Sequence, residues 1–453
     1  MHMLPQSFLS RMHSLLGADY PAFFQSMEEA PVRGLRVNPL KAVSAPADIE
    51  TKPLPFSGGG YIFSAELIGH HPLHHAGAFY VQDPSAISTI AAAGHVLRQG
   101  MRVLDLCAAP GGKSTQLAGV LQGTGMLVAN EISKERCRVL RQNIERMGVK
   151  NAVVTSFDSE KIAGYYPNFF DFVLVDAPCS GEGMFRKYPE AVQEWSEENV
   201  AMCARRQKKI LSDAASTVAG GGYLLYSTCT FSIEENEQVI HWFLSEHPEF
   251  TLVPVAPDVA AVTADGISVG GRDLSAARRF YPHLFPGEGQ FMCLMQRSAG
   301  LRGKAQFRNV LRSLSKEEEK VATAFFADTF GNIPQELAVL RDDVVLLCDG
   351  MDGCPDGAFC CGVPVGNVVK GRLVPHHHLF SAYGGDFRRK MDLPVGNPLC
   401  RAYLRGEGFS WGSDTGNGWC AVHIDGVPCG GGKIVDGYVK NHYPKGLRET
   451  LMG

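Results

Sequence analysis

The chain has 453 residues, 45% of them hydrophobic and 20% charged. That is ordinary globular composition, and it is too long for a single core, so two to four domains are expected, one of them large. A formal net charge of -4 excludes a protein that holds polyanions by bulk charge, so a nucleic-acid substrate would have to be met by local patches.

The thirteen cysteines are an odd number, and Met1-His2-Met3-Leu4-Pro5 has neither a basic nor an apolar leader region. No window reaches the roughly eighteen apolar residues of a membrane span. These features point to reduced thiols in a soluble cytoplasmic protein, with a monomer as the default and no membrane partner.

Residues 1–95 mix short helical patterns with irregular segments and are expected to form an α+β extension. In Leu35-Arg36-Val37-Asn38-Pro39 the run ends in a turn signal, which makes Arg36 and Asn38 displayed polar groups and candidate substrate contacts. His70-His71-Pro72-Leu73-His74-His75 invites a metal, but adjacent histidines lack ligand spacing; the segment is read as a polar turn and no metal is expected. Asp83 or Ser85 of Gln82-Asp83-Pro84-Ser85 caps a helix implied by residues 86–91.

From about residue 100 the pattern alternates. Strands are expected at 102–107, 126–130, 152–156, 171–176 and 222–228, with helices at 113–122, 133–147, 197–219 and 233–246. Such alternation predicts an α/β domain with a parallel sheet over 96–298, and the apolar run 290–295 is expected to add an edge strand. Residues 298–304 read as a linker, and 305–365 as a small mixed unit. Cys348, Cys354, Cys360 and Cys361 lack zinc spacing, and His376-His377-His378 is equally weak evidence for a metal.

Residues 370–453 are glycine-rich with short strands, and from Lys370 onward eleven Lys and Arg stand against seven Asp and Glu. Cations among aromatics in the tail 432–448 suit phosphates and stacked bases, and equally suit a solvated face over an aromatic core.

Two stretches carry the chemistry. Val173-Leu174-Val175-Asp176-Ala177-Pro178-Cys179-Ser180-Gly181 runs an apolar strand into an acid, a proline and a thiol, and Gly222-Tyr223-Leu224-Leu225-Tyr226-Ser227-Thr228-Cys229 ends alike. Ligand crevices of open α/β sheets lie at the carboxyl ends of strands, so one site with two thiols is expected.

A cofactor half precedes it: Asp105 ends a strand, and Cys107-Ala108-Ala109-Pro110-Gly111-Gly112-Lys113 turns into a helix. Small residues admit a ligand close to the backbone, and the helix start offers free N–H groups. The turn is neither a dinucleotide nor a triphosphate loop. Glu131 ends the next strand, where an acid accepts ribose hydroxyls; Arg136 follows on the helix, and Asp158 after the third strand can receive an adenine amino group. A sugar, an adenine and a compact charged tail describe S-adenosyl-L-methionine.

Asp105-Leu-Cys-Ala-Ala-Pro-Gly-Gly-Lys113, Asp176-Ala-Pro-Cys-Ser-Gly181 and Ser227-Thr-Cys229 resemble the signatures of the NOL1/NOP2/Sun RNA 5-methylcytosine methyltransferases. The resemblance extends to Leu35–Asn38 and Gln82–Ser85, and the tail Lys440-Asn-His-Tyr-Pro-Lys-Gly-Leu-Arg448 is similar to the PUA-like module of the bacterial small-subunit rRNA methyltransferase F group. Residues 305–365 match least.

The resemblance implies a Rossmann-like S-adenosylmethionine methyltransferase domain, an N-terminal RNA-binding extension, a small α/β domain and a PUA-like RNA-binding β domain. It also implies an enzyme that methylates cytosine C5 in rRNA or the small ribosomal subunit. Cytosine C5 takes a methyl group once a thiolate has added to C6, and a second thiol assists release. Spacing does not say which cysteine does which, since DNA cytosine methyltransferases use the cysteine of a Pro-Cys pair. The resemblance implies Cys229 as nucleophile and Cys179 as release residue.

Asp176 is expected to hydrogen-bond the flipped base, and Arg186 and Lys187 to contact substrate phosphate or to be solvated loop charges. Competing readings are a tRNA cytosine-C5 methyltransferase, an amino-group methyltransferase, whose base-stacking aromatic is replaced here by Cys179, and an rRNA-binding assembly factor without catalysis.

Overall fold

The computed structural model of the protein describes residues 4–449 except 43, 332, 333, 335, 352 and 413–415. The extreme ends of the expected first and last domains, 1–3 and 450–453, lie outside the described residues. Among those residues the centre is a ten-stranded sheet. Its parallel part runs, in spatial order, Ala152–Thr155, Met126–Asn130, Arg102–Asp105, Phe170–Asp176 and Val218–Thr228. In chain order that is 3-2-1-4-5, the doubly wound arrangement whose ligand crevice opens between the first and fourth strands. All residues of Met126–Asn130 and Ala152–Thr155 are buried, as expected of parallel strands covered by helices on both faces.

The strand Gln290–Arg297 corrects one expectation. It pairs antiparallel with Val218–Thr228 and on its other side with Arg278–Phe280 and Phe250–Val253, so it is interior rather than an edge. Its first six residues are buried, which an edge position would not achieve.

The opposite edge is closed from far along the chain. Cys360–Cys361 pairs antiparallel with the third strand, Cys360 opposite Val154 and Cys361 opposite Val153. Ala338, Leu340, Val345, Cys354 and Ala358 share the core of the catalytic sheet. The expected small unit at 305–365 is therefore built onto the catalytic domain. Its expected end also moves: Val363–Val369 and Arg372–Pro375 form one hairpin in a four-stranded sheet, turning through positive φ at Lys370 and Gly371.

The first and last segments share a core as well. A four-stranded N-terminal sheet, with Arg33–Val37 between Gly60–Phe63 and Phe79–Val81, packs Leu35, Phe63 and Phe79 with Met391 and Val422 of the five-stranded C-terminal sheet and with Tyr403 of the helix Pro398–Leu404. Lys41 ties the assembly together, its ammonium donating to Ala76 O, Arg146 O, Ser381 Oγ and Pro428 O. The expected polar turn at the paired histidines is a short helix, Pro72–His75, capped by His71. No helix among the described residues is long and apolar enough to cross a membrane.

The N-terminal helices Gln6–Leu16 and Tyr20–Glu28 sit elsewhere. Phe8, Met12 and Phe23 pack with Phe185, Trp195 and Phe231, directly behind the two cysteine-bearing loops.

Candidate active site

The fourth and fifth parallel strands are neighbours, and Asp176 lies in register with Ser227. The loops that follow them leave the sheet side by side. This brings the Sγ atoms of Cys179 and Cys229 to 3.3 Å, both partly exposed to solvent. The adjacent Cys229 thiol and burial hold the Cys179 thiol well above its ordinary value.

Asp176 is oriented from three sides: Lys113 Nζ donates to Oδ2 at 2.8 Å, while Ser227 Oγ at 2.6 Å and Gln290 Nε2 at 3.4 Å donate to Oδ1. Burial pulls the Lys113 ammonium down, but the charge and hydrogen bond of Asp176 carry it above its ordinary value, so it stays a cation. Its field reaches Cys229 as well.

The cofactor half is built on the first parallel strand. Asp105 is 1% exposed and accepts Ser114 Oγ at 2.6 Å on Oδ2, while Oδ1 is buried with no partner. Burial pushes its carboxyl up to about 7, against the pull of the Ser114 hydrogen bond. The loop from Cys107 turns at Gly111, φ +114°, into the helix Gly112–Leu121. A Cβ at Gly111 would stand 3.2 Å from Leu140 Cδ1, so the turn is tight and only glycine adopts it without strain.

Glu131 is buried and accepts from Ser133 N at 3.0 Å and from Arg136 at 3.2 Å, and Arg136 also donates to Ala109 O at 2.8 Å. Asp158 is exposed and caps the helix Ser159–Tyr165 through Lys161 N at 2.7 Å. An unpaired buried carboxylate oxygen suits an ammonium group, a helix N-terminus suits a carboxylate, and acids at the next two strand ends suit a nucleoside. These residues fit S-adenosylmethionine.

The four expected substrate contacts need correction. Arg36 is buried and donates to Gln82 Oε1, Gly112 O and Thr115 Oγ1, so it braces the first turn of the cofactor helix from behind. Asn38 is buried and donates to Gly77 O and Met147 O, joining the N-terminal sheet to the catalytic domain. Arg186 is closed in by Glu288, Gly287 O and Ser26 O. The Lys187 ammonium is engaged by Asp83, whose other oxygen caps the helix Pro84–Ala92. In each case a polar residue beside a turn is answered by an acceptor from a distant segment, which local pattern does not disclose.

Four residues that sequence reasoning passed over stand at the site: Gln290 and Ser227 on Asp176, and Glu182 and Glu235 beneath the cysteine loops. The one available signal was that an acid follows each cysteine within six positions. For Glu235 it was masked by the helix expected from 233, which begins at Glu237.

Residues 96–296 match the family model described as 16S rRNA methyltransferase RsmB/F. Residues 4–84 match that of the N-terminal domain of 16S rRNA methyltransferase RsmF, and 390–449 that of the methyltransferase RsmF PUA domain. The chain is 30% identical over 475 residues to ribosomal RNA small subunit methyltransferase F of Vibrio vulnificus, covering 98% of this chain and 97% of that one.

Among solved structures it is similar to a methyltransferase homolog protein from Pyrococcus horikoshii, with TM-score 0.56 and 27% identity, covering 65% of this chain and 95% of that one. It shares its fold with NSun6 from Pyrococcus horikoshii, with TM-score 0.57 and 20% identity over 65% of this chain and 99% of that one. A match that runs the length of both chains, with the paired thiols and the cofactor cradle in one crevice, identifies the family: this chain belongs to the ribosomal RNA small subunit methyltransferase F proteins.

Proposed function

We propose that this protein methylates C5 of a cytosine in small-subunit rRNA, with S-adenosylmethionine as the cofactor, through a covalent bond between Cys229 and C6 of the base. The observation that carries this reading is the 3.3 Å approach of the Cys179 and Cys229 sulfurs beside Asp176. The names of the relatives supply the RNA class.

The bound cofactor supplies an electrophilic methyl group. The chain supplies the rest. Asp176 accepts from the amino edge of the flipped base, steadied by Lys113, Ser227 and Gln290. The Cys229 thiolate adds to C6, and the electron pair that gathers at C5 takes the methyl group.

Release then balances within the thiol pair. The C6–Sγ bond breaks, Cys179 gives its proton to the departing Cys229 sulfur, and the Cys179 thiolate takes the C5 proton as the ring double bond re-forms. The Cys179 sulfur, 3.3 Å from that of Cys229, is within reach to hand over that proton. The N- and C-terminal segments are proposed to bind rRNA around the crevice, the whole acting as a monomer in the cytoplasm.

The experiment compares Cys229→Ala and Cys179→Ala with rRNA or small subunits and radiolabelled cofactor. Cys229→Ala should abolish transfer, and Cys179→Ala should trap a covalent RNA adduct on a denaturing gel. Undiminished transfer by Cys229→Ala overturns the proposal, and trapping by Cys229→Ala instead exchanges the two roles.

A further inference from the structure

Glu182 and Glu235 have no part in the chemistry above, yet both are buried, at 1% and 0% exposure. Glu182 lies three residues after Cys179, and its carboxylate reaches across to the segment that follows Cys229. It accepts Thr230 Oγ1 at 2.8 Å, Phe231 N at 2.9 Å and Ser232 Oγ at 2.6 Å, with Trp195 Nε1 at 2.9 Å steadying it from behind. Glu235 lies six residues after Cys229 and reaches the other way. It accepts Ser180 N at 3.0 Å, Ser180 Oγ, and Gln207 Nε2 at 2.7 Å, and the same Gln207 nitrogen donates to Pro178 O at 3.1 Å.

Each cysteine loop thus carries an acid that binds the donors of the other loop. The two hydroxyls so engaged, Ser180 Oγ and Thr230 Oγ1, lie 2.9 Å apart, and Gly183 N donates to Cys229 O at 2.9 Å.

A buried carboxylate is costly unless its lone pairs are filled, and burial pushes the Glu235 carboxyl up to about 7 against the hydrogen bonds of Ser180 and Gln207; once ionised, its acceptance from N–H and O–H groups is about twice as strong as a neutral hydrogen bond. Here the hydrogen-bonding partners are neutral groups, most of them on the two loops whose thiols must meet. Strands alone set the backbones about 4.8 Å apart at the sheet edge and leave the loops free to diverge. The crossed acids remove that freedom, because neither loop can move without stripping acceptors from the other.

We propose that Glu182 and Glu235 are positioning residues that hold the Cys179 thiol against Cys229 for the release step. The inference rests on the covalent route proposed above. Neither acid touches substrate; each acts through the loop that it fixes. Glutamine in either place keeps the shape but turns an N–H₂ group toward donors, so the loops separate while the sheet beneath stays intact.

The test uses the full chain with S-adenosylmethionine and rRNA or small subunits, comparing wild type, Glu182→Gln, Glu235→Gln, Cys179→Ala and Glu235→Gln/Cys179→Ala. Each Gln variant should accumulate methyl-bearing covalent RNA adduct about tenfold or more above wild type while kcat falls by a similar factor. The double variant should trap no more adduct than Cys179→Ala alone, because both changes disable one step.

A purely structural role gives a different result: adduct and turnover fall together, in proportion to the folded fraction seen by circular dichroism, and the proposal is overturned. Should a Gln variant fail to fold, Ser180→Ala and Thr230→Val remove the donors instead and must show the same adduct build-up. If Cys179→Ala itself traps no adduct, the covalent route and this inference fall together. If Cys179→Ala traps it and the glutamate and donor variants do not, only this inference falls.

Discussion

Lys113 donates to Asp176 across 2.8 Å, and that one bond joins the helix that begins the cofactor cradle to the strand that ends in the Cys179 loop. Asp105 and Asp176 end adjacent parallel strands, and the cation stands among them and Cys229. Replacing it with Lys113→Met leaves Asp176 to Ser227 and Gln290 and withdraws the positive charge near Cys229. Single-turnover methyl transfer should fall by about 100-fold, the usual consequence of removing one aligned donor from a reacting centre. Rapid-quench measurement of methyl incorporation checks this.

Arg186 and Glu288 form a buried ion pair, with side chains 4% and 2% exposed. Arg186→Ala leaves the Glu288 carboxylate only the Lys187 ammonium, 3.9 Å away, so the loss should lie below the roughly 3–5 kcal/mol of a fully uncompensated pair. Denaturant and thermal unfolding should show the loss. The slope of log RNA affinity against log salt should stay at the wild-type value, because the guanidinium faces protein groups and not phosphate.

Cofactor affinity should depend on Asp105. With its carboxyl at about 7 through burial, the unliganded site holds a proton below neutrality that must leave before a ligand ammonium is paired. Affinity therefore rises as the pH climbs toward about 7 and levels off above it, with proton release on binding at neutral pH; titration calorimetry in two buffers of different ionisation enthalpy reads both.

The same raised pKa makes a stability prediction of definite sign. The folded, unliganded protein binds a proton that the unfolded chain has lost, so this residue's stabilising contribution is full below about 4 and declines to about 7, at about 1.4 kcal/mol per pH unit. Asp105→Asn should flatten both profiles.

Gly183 has no room for a side chain. A Cβ there would stand 2.7 Å from Gly289 Cα and 2.9 Å from Cys229 O, and these are backbone atoms that cannot swing aside. Gly183→Ala should displace the Cys229 carbonyl by part of an ångström and lower kcat by about tenfold, since misplacement of a full ~1 Å costs about 100-fold in an oriented reaction. Steady-state kinetics beside a melting curve separates this from unfolding.

The catalytic half was legible because its signals are local. An apolar run leading to Asp176 or to Cys229 fixes a buried strand and the residue at its mouth, and a small-residue turn before a helix fixes the cradle. What escaped was decided by partners far along the chain. The run at 290–297 has the same apolar pattern whether it lies at an edge or between neighbours. A two-residue strand such as Cys360–Cys361 has no period to detect.

Arg36 and Asn38 are polar residues in or just after a short strand, and only the acceptors at Thr115 and Met147 reveal that they face inward. Glu235 and Asn236 continue a helical pattern, yet their side chains bind Ser180 and Thr228 and hold the backbone out of the helix for one more turn.

The placement of Cys360–Cys361 sets an order of events during synthesis. The third parallel strand, Ala152–Thr155, leaves the ribosome some two hundred residues before the segment that will pair with its open side. Until then its N–H and C=O groups face solvent as a template for any passing strand, the feature that drives aggregation of unfinished sheets. A gene cut at the linker near residue 298 would leave that exposure permanent, so shortened versions carrying only the catalytic segment should be isolated as aggregates.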